Sequence, residues 1–300
     1  MKISYTPEQI EQIEKERQFY IEKGHVKVCN KNIIELLESF KLQGSLQGIF
    51  EYTTESYLNY IKELKSLPEE LQKKFLKVLK NADIIDNQSL EKEDSFLISL
   101  YLQSTRKHAI DLLLGKDTLT TQDILNAHGL LMKGTSTAND YDHYKFRQNN
   151  GKFVGVMSQG QRIIQYLPVD YRDINSVMDS FLEYFNSPDE NSTDIFQKAF
   201  NIHAMIAALQ VFDDGNTRLA RLLQHEKIYA NTKNKVDISS PALYITRSYY
   251  PFRGQYRELI KNLVVNSDEQ SVEEWLKFNL RSAQTEIDQK MNQLQKIKKI

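Results

Sequence analysis

Apolar residues recur along most of the chain every three or four positions, the period of a helix with one face turned inward. The spacing predicts helices over 30–41, 54–65, 68–81, 92–114, 122–133, 172–186, 193–209, 217–230, 249–265 and 271–295. An earlier helix opens at Thr6-Pro7-Glu8-Gln9, a capping box with proline at the first helical position, and stops near Gly24. The last helix carries Leu276, Leu280, Ala283, Ile287, Met291 and Leu294, a stripe that suits a packing face or the seam of a homo-oligomer. Residues 152–166 leave the helical period. Val154 and Val156 share one face, Ser158-Gln159-Gly160 makes a turn, and Arg162-Ile163-Ile164-Gln165-Tyr166 runs as a second strand. The expected fold class is all-α, mainly a helical bundle, with a small β-hairpin.

Three hundred residues with 40% hydrophobic content bury a substantial core, and one helical domain with an N-terminal extension fits better than two independent domains. The expected organisation is an N-terminal helical region over 1–115, a core over 116–240, and C-terminal helices over 241–300 that pack on it. Forty acidic residues stand against 39 basic ones, so no global field points to nucleic acid or to an acidic membrane surface. Cys29 is alone, which excludes an intramolecular disulfide and fits a reducing compartment. No apolar stretch approaches transmembrane length and the first 20 residues are charged rather than signal-like. A cytoplasmic location is expected, and export by a secretion system that reads a terminal signal is compatible with it.

Candidate chemistry concentrates between two helical stretches. Residues 209–221 form an acidic, glycine-containing loop followed by Arg218 and Arg221, three apart. Gly215 breaks the helical period. The amides of residues 215–218 then open the next helix, where unpaired N–H groups and the helix dipole favour an anion. The guanidinium forks of Arg218 and Arg221 suit phosphate oxygens. Asp214 offers the hard oxygen that Mg²⁺ prefers when it bridges a protein to a polyphosphate.

This loop resembles the signature of the Fic (Fido-domain) family, His-Pro-Phe-x-Asp/Glu-Gly-Asn-Gly-Arg-x-x-Arg. Phe212, Asp214, Gly215, Asn216, Arg218 and Arg221 match, whereas Gln210 stands at the catalytic His position, Val211 replaces Pro, and Thr217 replaces the second Gly. The resemblance implies ATP with Mg²⁺ as cofactor, Asp214 as metal ligand, and Gly215, Asn216, Thr217, Arg218 and Arg221 as the nucleotide-binding set. In active members the His takes the proton of a protein hydroxyl as that hydroxyl attacks the α-phosphate and AMP is transferred. Gln210 accepts and donates hydrogen bonds but does not titrate near neutral pH. A general base is worth roughly 10²- to 10⁴-fold, so impaired AMP transfer is the expectation. Thr217 adds bulk and stiffness where the family's glycine lets the backbone pass close to the phosphates.

The resemblance extends over roughly residues 45–285. Asp123 to Gly134 is similar to the helix before the family's docking segment, and Tyr144 to Val156 is similar to its Gly-x-Tyr-Arg-x-x-x-Val stretch and flap. Leu167-Pro168-Val169 resembles its Pro-Pro element with one proline kept. In the family the flap pairs, strand to strand, with the target protein. Lys152, Phe153, Val154, Gly155 and Val156 are therefore the candidate docking flap for a target or regulatory protein, with Lys145, Arg147 and Lys152 as a basic approach. A plain surface hairpin is the other reading. The family's inhibitory Ser/Thr-x-x-x-Glu-Gly/Asn helix has its nearest counterpart at residues 45–52, where Gln47 and Tyr52 depart from the pattern. Glu51 is a candidate inhibitory partner of Arg221, or an exposed or structural glutamate.

The histidines add little to this chemistry. His203 lies about two turns, or roughly 11 Å, before position 210, too far to serve the same proton. It reads as structural. His128 and His143 have no second ligand at metal spacing. His25, His108 and His225 are isolated, and for His225 a surface or supporting position is the default, with a phosphate contact as the alternative. Three functions are compatible with the chain: a Fic-like protein impaired in transfer, an active protein adenylyltransferase or related phosphate-group transferase with a non-standard motif, and an unrelated helical interaction module.

Overall fold

In the computed structural model, residues 3, 5–24, 26–91, 106–114, 116, 118–188, 195–233 and 235–298 are described, 87–91 by their backbone only. The helices are α1 (Pro7–Glu22), α2 (Asn32–Ser39), α3 (Gly44–Lys65), α4 (Glu69–Glu91), α5 (Thr121–Met132), α6 (Ile174–Asn186), α7 (Gln197–Leu209), α8 (Asn216–Lys233), α9 (Thr246–Tyr249), α10 (Arg253–Val265) and α11 (Glu269–Ile297). Residues 106–113 are also helical, and the rest of the helix expected over 92–114 lies outside the described residues. Three strands accompany them, β1 (Lys27–Val28), β2 (Val154–Ser158) and β3 (Gln161–Leu167). The fold is all-α with a small sheet, as the spacing predicts.

The centre of the core is α7. Every residue from Ala199 to Leu209 is buried, so this helix is enclosed on all sides rather than amphipathic. It packs along α8 and is wrapped by α2, α6, α10 and α11. Trp275 on α11 donates its indole N–H to the Phe200 carbonyl at 3.0 Å, which fixes α11 against α7. The stripe on α11 is a packing face. Leu276, Leu280, Ala283, Ile287 and Leu294 are buried, Met291 is half-buried against the core, and the helix lies against α3.

Several boundaries differ from the sequence expectation for local reasons. α3 begins at Gly44, whose φ of +54° lets the chain turn into the helix ten residues before the expected start. α4 continues to Glu91 rather than ending at 81, and the helix expected over 249–265 is broken at Pro251, which sits in a 3₁₀ turn between α9 and α10. Residues 171–173 likewise form a 3₁₀ turn before α6.

The sheet has the order β1-β3-β2, β1 pairing parallel and β2 antiparallel with β3. The hairpin turns at Gln159 and Gly160, both with positive φ. A bulge between Val154 and Gly155 shifts the register, with Val154 opposite Tyr166 and Gly155 opposite Ile164. A Cβ at Gly155 would lie 2.3 Å from the Ile163 carbonyl oxygen, so the close pairing requires glycine. Because β3 is central, β1 and β2 are the sheet's outer strands. α1 braces the base of the hairpin: Arg17 donates to the Pro168 carbonyl at 2.8 Å, and Tyr20 meets Phe153 edge to face.

Among the described residues no helix is long and apolar enough to cross a membrane.

Candidate active site

α7 ends where Gln210 takes the left-handed conformation, φ 54° and ψ 52°, and turns the chain into the loop. The Gln210 side chain folds back on the helix end. Its Nε2 donates to the Ala207 carbonyl at 2.6 Å, and its Oε1 accepts from Asn216 Nδ2 at 3.2 Å. Asn216, the first residue of α8, also staples the loop to itself. Its Oδ1 accepts the Phe212 amide at 2.9 Å and its Nδ2 donates to the Phe212 carbonyl at 2.8 Å. Both ends of the turn are therefore set by one buried amide.

A second brace comes from the segment before the hairpin. The Arg147 amide donates to the Val211 carbonyl at 3.1 Å, its Nε to the Gln210 carbonyl at 2.9 Å, its Nη1 to Asn149 O at 2.8 Å, and its Nη2 to the Val169 carbonyl. Burial pushes this guanidinium down to about 10, with Arg17 adding to the effect, yet it stays charged at neutral pH. Arg147 is thus an internal clamp, not part of an exposed basic approach. Lys152 is also turned inward, donating from Nζ to the Asp213 carbonyl at 2.6 Å, and only Lys145 is exposed, paired with Asp142. Of the five flap residues, Val154, Gly155 and Val156 lie on β2. Lys152 and Phe153 precede it, and Phe153 is buried.

The floor under the loop is aromatic. Phe212 is buried and stacks on His128 with centroids 3.6 Å apart at 11°, while Phe146 lies 5.2 Å away. His128 Nδ1 lies 2.7 Å from the His143 carbonyl and Nε2 lies 2.8 Å from the Asp214 carbonyl. Burial pushes His128 down to about 4 against the pull of these two oxygens, so the ring is neutral at pH 7 and donates to one of them. His143 Nε2 lies 2.9 Å from the Thr137 carbonyl. These two histidines are loop supports, consistent with their lack of metal spacing.

Gly215 has φ +79° and no room for a side chain. A Cβ there would lie 2.2 Å from Met132 Sδ and 2.9 Å from His128 Nε2. The first intrahelical bond of α8 runs from Leu219 N to the Gly215 carbonyl at 3.0 Å, which puts the amides of 216–218 in the first turn of the helix. Arg218 Nη1 is 3.2 Å from Met132 Sδ and 4.0 Å from Asp214 Oδ2. Asp214 Oδ2 accepts the Thr137 hydroxyl at 2.8 Å and Oδ1 accepts the Gly215 amide at 2.7 Å. Each carboxylate oxygen keeps a lone pair, and the side chain is 41% exposed. Among the described residues no group of three or more His, Cys, Asp or Glu is gathered to hold a metal. This donor set fits Mg²⁺ in the form that takes one carboxylate and completes its shell with phosphate and water oxygens.

Deeper along α8 the residues become internal. Arg221 is buried beside His203, His225 and Arg106, whose pKa values are lowered by burial first and by the Arg221 charge as a lesser cause. His203 lies between Gln224 and the Tyr256 hydroxyl, pushed down to about 3 chiefly by burial, in the structural position expected of it. His225 is not at the surface. Its Nε2 accepts the Ile245 amide at 3.1 Å and its Nδ1 faces Asp83 at 3.9 Å, while Asp83 takes Arg106 Nη2 at 3.1 Å. Sequence reading missed this cluster, and Arg147 and Asn216 as braces. The aromatic-arginine pair Phe146-Arg147 was the one local signal for the first brace.

Glu51 is not brought to Arg221. It is exposed on α3, its Oε1 accepting Gln47 Nε2 at 2.9 Å. α3 reaches α8 at Thr232, whose hydroxyl meets the Tyr57 hydroxyl at 3.3 Å. Thr232 is three turns beyond Arg221, roughly 16 Å along the helix.

An enclosed helix, a glycine turn and an arginine-bearing second helix, with a hairpin alongside, define a class. The Fic/DOC family model matches residues 118–226. Three solved structures share the fold. A Fic family protein from Desulfovibrio desulfuricans G20 superposes with a TM-score of 0.62 at 15% identity, covering 83% of this chain and 75% of that one. A Fic domain containing signaling protein from Bacteroides thetaiotaomicron VPI-5482 gives 0.58 at 11% identity, covering 81% and 97%. Fic-1 (residues 134–508) from C. elegans gives 0.55 at 15% identity, covering 83% and 74%. No curated protein matches. Residues 118–226 of this chain are a Fic/Fido domain.

Proposed function

We propose that the loop from Gln210 to Arg221 binds the phosphates of ATP with Mg²⁺, that the outer strand β2 docks a target or regulatory protein, and that AMP transfer is impaired. The observation that carries the reading is the Gln210 side chain, bonded back to Ala207 and Asn216 at the position of the family's base. A neutral amide does not take up a proton near pH 7 and so cannot act as that base. ATP supplies an electrophilic phosphorus and a pyrophosphate leaving group. The chain's own residues bind and orient: Asp214 offers oxygen to the metal, Arg218 and the start of α8 offer donors to phosphate, and β2 offers an unpaired strand edge.

The test is labelled-nucleotide transfer by the parent, Gln210→His, and Gln210→His with Thr217→Gly, with ATP binding measured by titration calorimetry. The parent is expected to bind and not to label. The His variant should gain label by up to roughly 10²- to 10⁴-fold, and the double variant more. Parent labelling equal to that of Gln210→His refutes the impairment. An active transferase is the second reading, and one observation favours it: the Lys152 ammonium reaches the loop at the Asp213 carbonyl, where burial lowers its pKa from the ordinary value.

A further inference from the structure

Two cations reach the candidate loop from different parts of the chain. Arg218 rises from the first turn of α8, with Nη1 4.0 Å from Asp214 Oδ2. Lys152 comes from the base of the hairpin and sets its ammonium 2.6 Å from the Asp213 carbonyl. Asp213 and Gly215 are two residues apart, and two residues of chain span at most about 7 Å, so the ammonium stands at the turn that opens α8. Burial lowers the Lys152 pKa first, the Asp214 and then the Asp213 carboxylate oppose that, and Arg147 and Arg162 add to it.

The segment that carries Lys152 is held on both flanks. Before it, Asn150 Nδ2 donates to Glu14 Oε1 and Asp170 Oδ2 at 3.0 Å each, and the Gly151 amide donates to Asn149 Oδ1 at 2.8 Å. After it, Phe153 is buried and meets Tyr20 edge to face. The neighbouring cations are spent on the protein itself, Arg147 on its clamp and Arg162 on the Phe153 carbonyl at 2.7 Å. Lys152 is not. An ammonium has three N–H donors, and among the described residues the one hydrogen bond of this half-buried group goes to a neutral carbonyl. A neutral acceptor offsets little of the cost of drawing a charge out of water, whereas an anion oxygen gives a charge-assisted bond.

We propose that Lys152 is a phosphate ligand of the nucleotide site rather than a residue of the docking strand: its ammonium keeps the Asp213 carbonyl and gives its other donors to a phosphate oxygen of a nucleotide seated at the start of α8. The inference rests on the nucleotide reading above and adds the hairpin base to it. Arg218 and α8 hold the phosphates from one side and Lys152 from the other. Because Lys152 lies two residues before β2, the same segment then carries the phosphate contact and leads into the outer strand.

The experiment uses the whole chain with ATP and Mg²⁺. In titration calorimetry Lys152→Met, which keeps the length of the stem and removes the charge, should weaken ATP roughly tenfold or more, as Arg218→Ala should. Parent affinity in Lys152→Met beside a loss in Arg218→Ala overturns this proposal and leaves the nucleotide reading standing. A parent that does not bind ATP overturns both. A second measurement needs no variant and so does not depend on Lys152→Met folding: acetylation of lysines in the parent by acetic anhydride, read by peptide mass spectrometry. Saturating ATP should slow the reaction at Lys152 and not at the exposed Lys145, and adenosine, which has no phosphate, should slow neither. An unchanged rate at Lys152 with ATP, or equal protection by adenosine, overturns the proposal.

Discussion

Gly215→Ala is the perturbation whose consequence the geometry fixes most closely. The new Cβ would lie 2.2 Å from Met132 Sδ and 2.9 Å from His128 Nε2, where ordinary carbon contacts are about 3.5–4 Å. Neither neighbour moves freely: Met132 and His128 are fully buried, and His128 is stacked on Phe212 and held by two carbonyls. Overpacking of this kind costs about 1–3 kcal/mol. The φ of +79° adds about 1–2 kcal/mol for a residue with a side chain, and the reduced freedom of the unfolded chain returns about 0.4–1 kcal/mol. The expected loss is about 2–4 kcal/mol, read as a lower urea midpoint at unchanged slope. A double-mutant cycle with Met132→Ala separates the two terms, since removing the thioether relieves the clash and leaves the backbone strain. Arg218 rests on the same thioether, so affinity for ATP should fall together with stability. A loss below about 1 kcal/mol, or no coupling to Met132, would refute the reasoning.

Two further outcomes follow from buried charges. Glu226 is buried, its Oε1 accepts no hydrogen bond, and burial pushes its carboxyl up to about 8 from an ordinary 4.5. The folded state therefore holds a proton that the unfolded chain has released, and stability falls as pH rises from about 4.5 to 8, by at most about 5 kcal/mol. Glu226→Gln should flatten that fall and be the more stable protein at pH 8, with no advantage at pH 4.5; parallel urea midpoints across this range would count against it. Arg147→Lys keeps the charge and gives up the fork that spans the Gln210, Asn149 and Val169 carbonyls. It should cost about 2–4 kcal/mol and raise amide hydrogen exchange at residues 210–212, and exchange equal to the parent's would show that the clamp is dispensable.

The helices and the hairpin were legible because each is local. Thr6 and Gln9 form the capping box their spacing announces, and the α7-loop-α8 unit follows from one apolar run, one glycine and a second run. What was not legible depends on chain segments far apart. Arg147 and Lys152 look like surface cations in a polar stretch. They are turned inward by carbonyls of residues more than sixty positions away. His225 reads as a surface residue because its partners, Asp83 and the Ile245 amide, come from α4 and the segment before α9. Glu51 matches a short pattern, but the register of α3 against α8 carries it past Arg221. A spacing rule sees one helix at a time, and these are contacts between helices.

The backbone at position 210 is held by contacts that do not depend on the side chain there. Arg147 Nε binds its carbonyl at 2.9 Å, its amide lies 3.4 Å from the Ile206 carbonyl, and Val169 N reaches the neighbouring Leu209 carbonyl at 3.4 Å. Gln210→His leaves all of these in place. It gives up the side-chain bonds to Ala207 and Asn216, each worth about 0.5–1.5 kcal/mol at a half-buried site. Against that, histidine is enriched in the left-handed conformation that this residue must adopt, and its ring nitrogens are able to take over one of the lost partners. The urea midpoint should therefore move by less than the equivalent of about 1.5 kcal/mol. A much larger loss would mean that the Gln210 amide itself carries the turn, and that the loop is built around glutamine rather than merely lacking histidine.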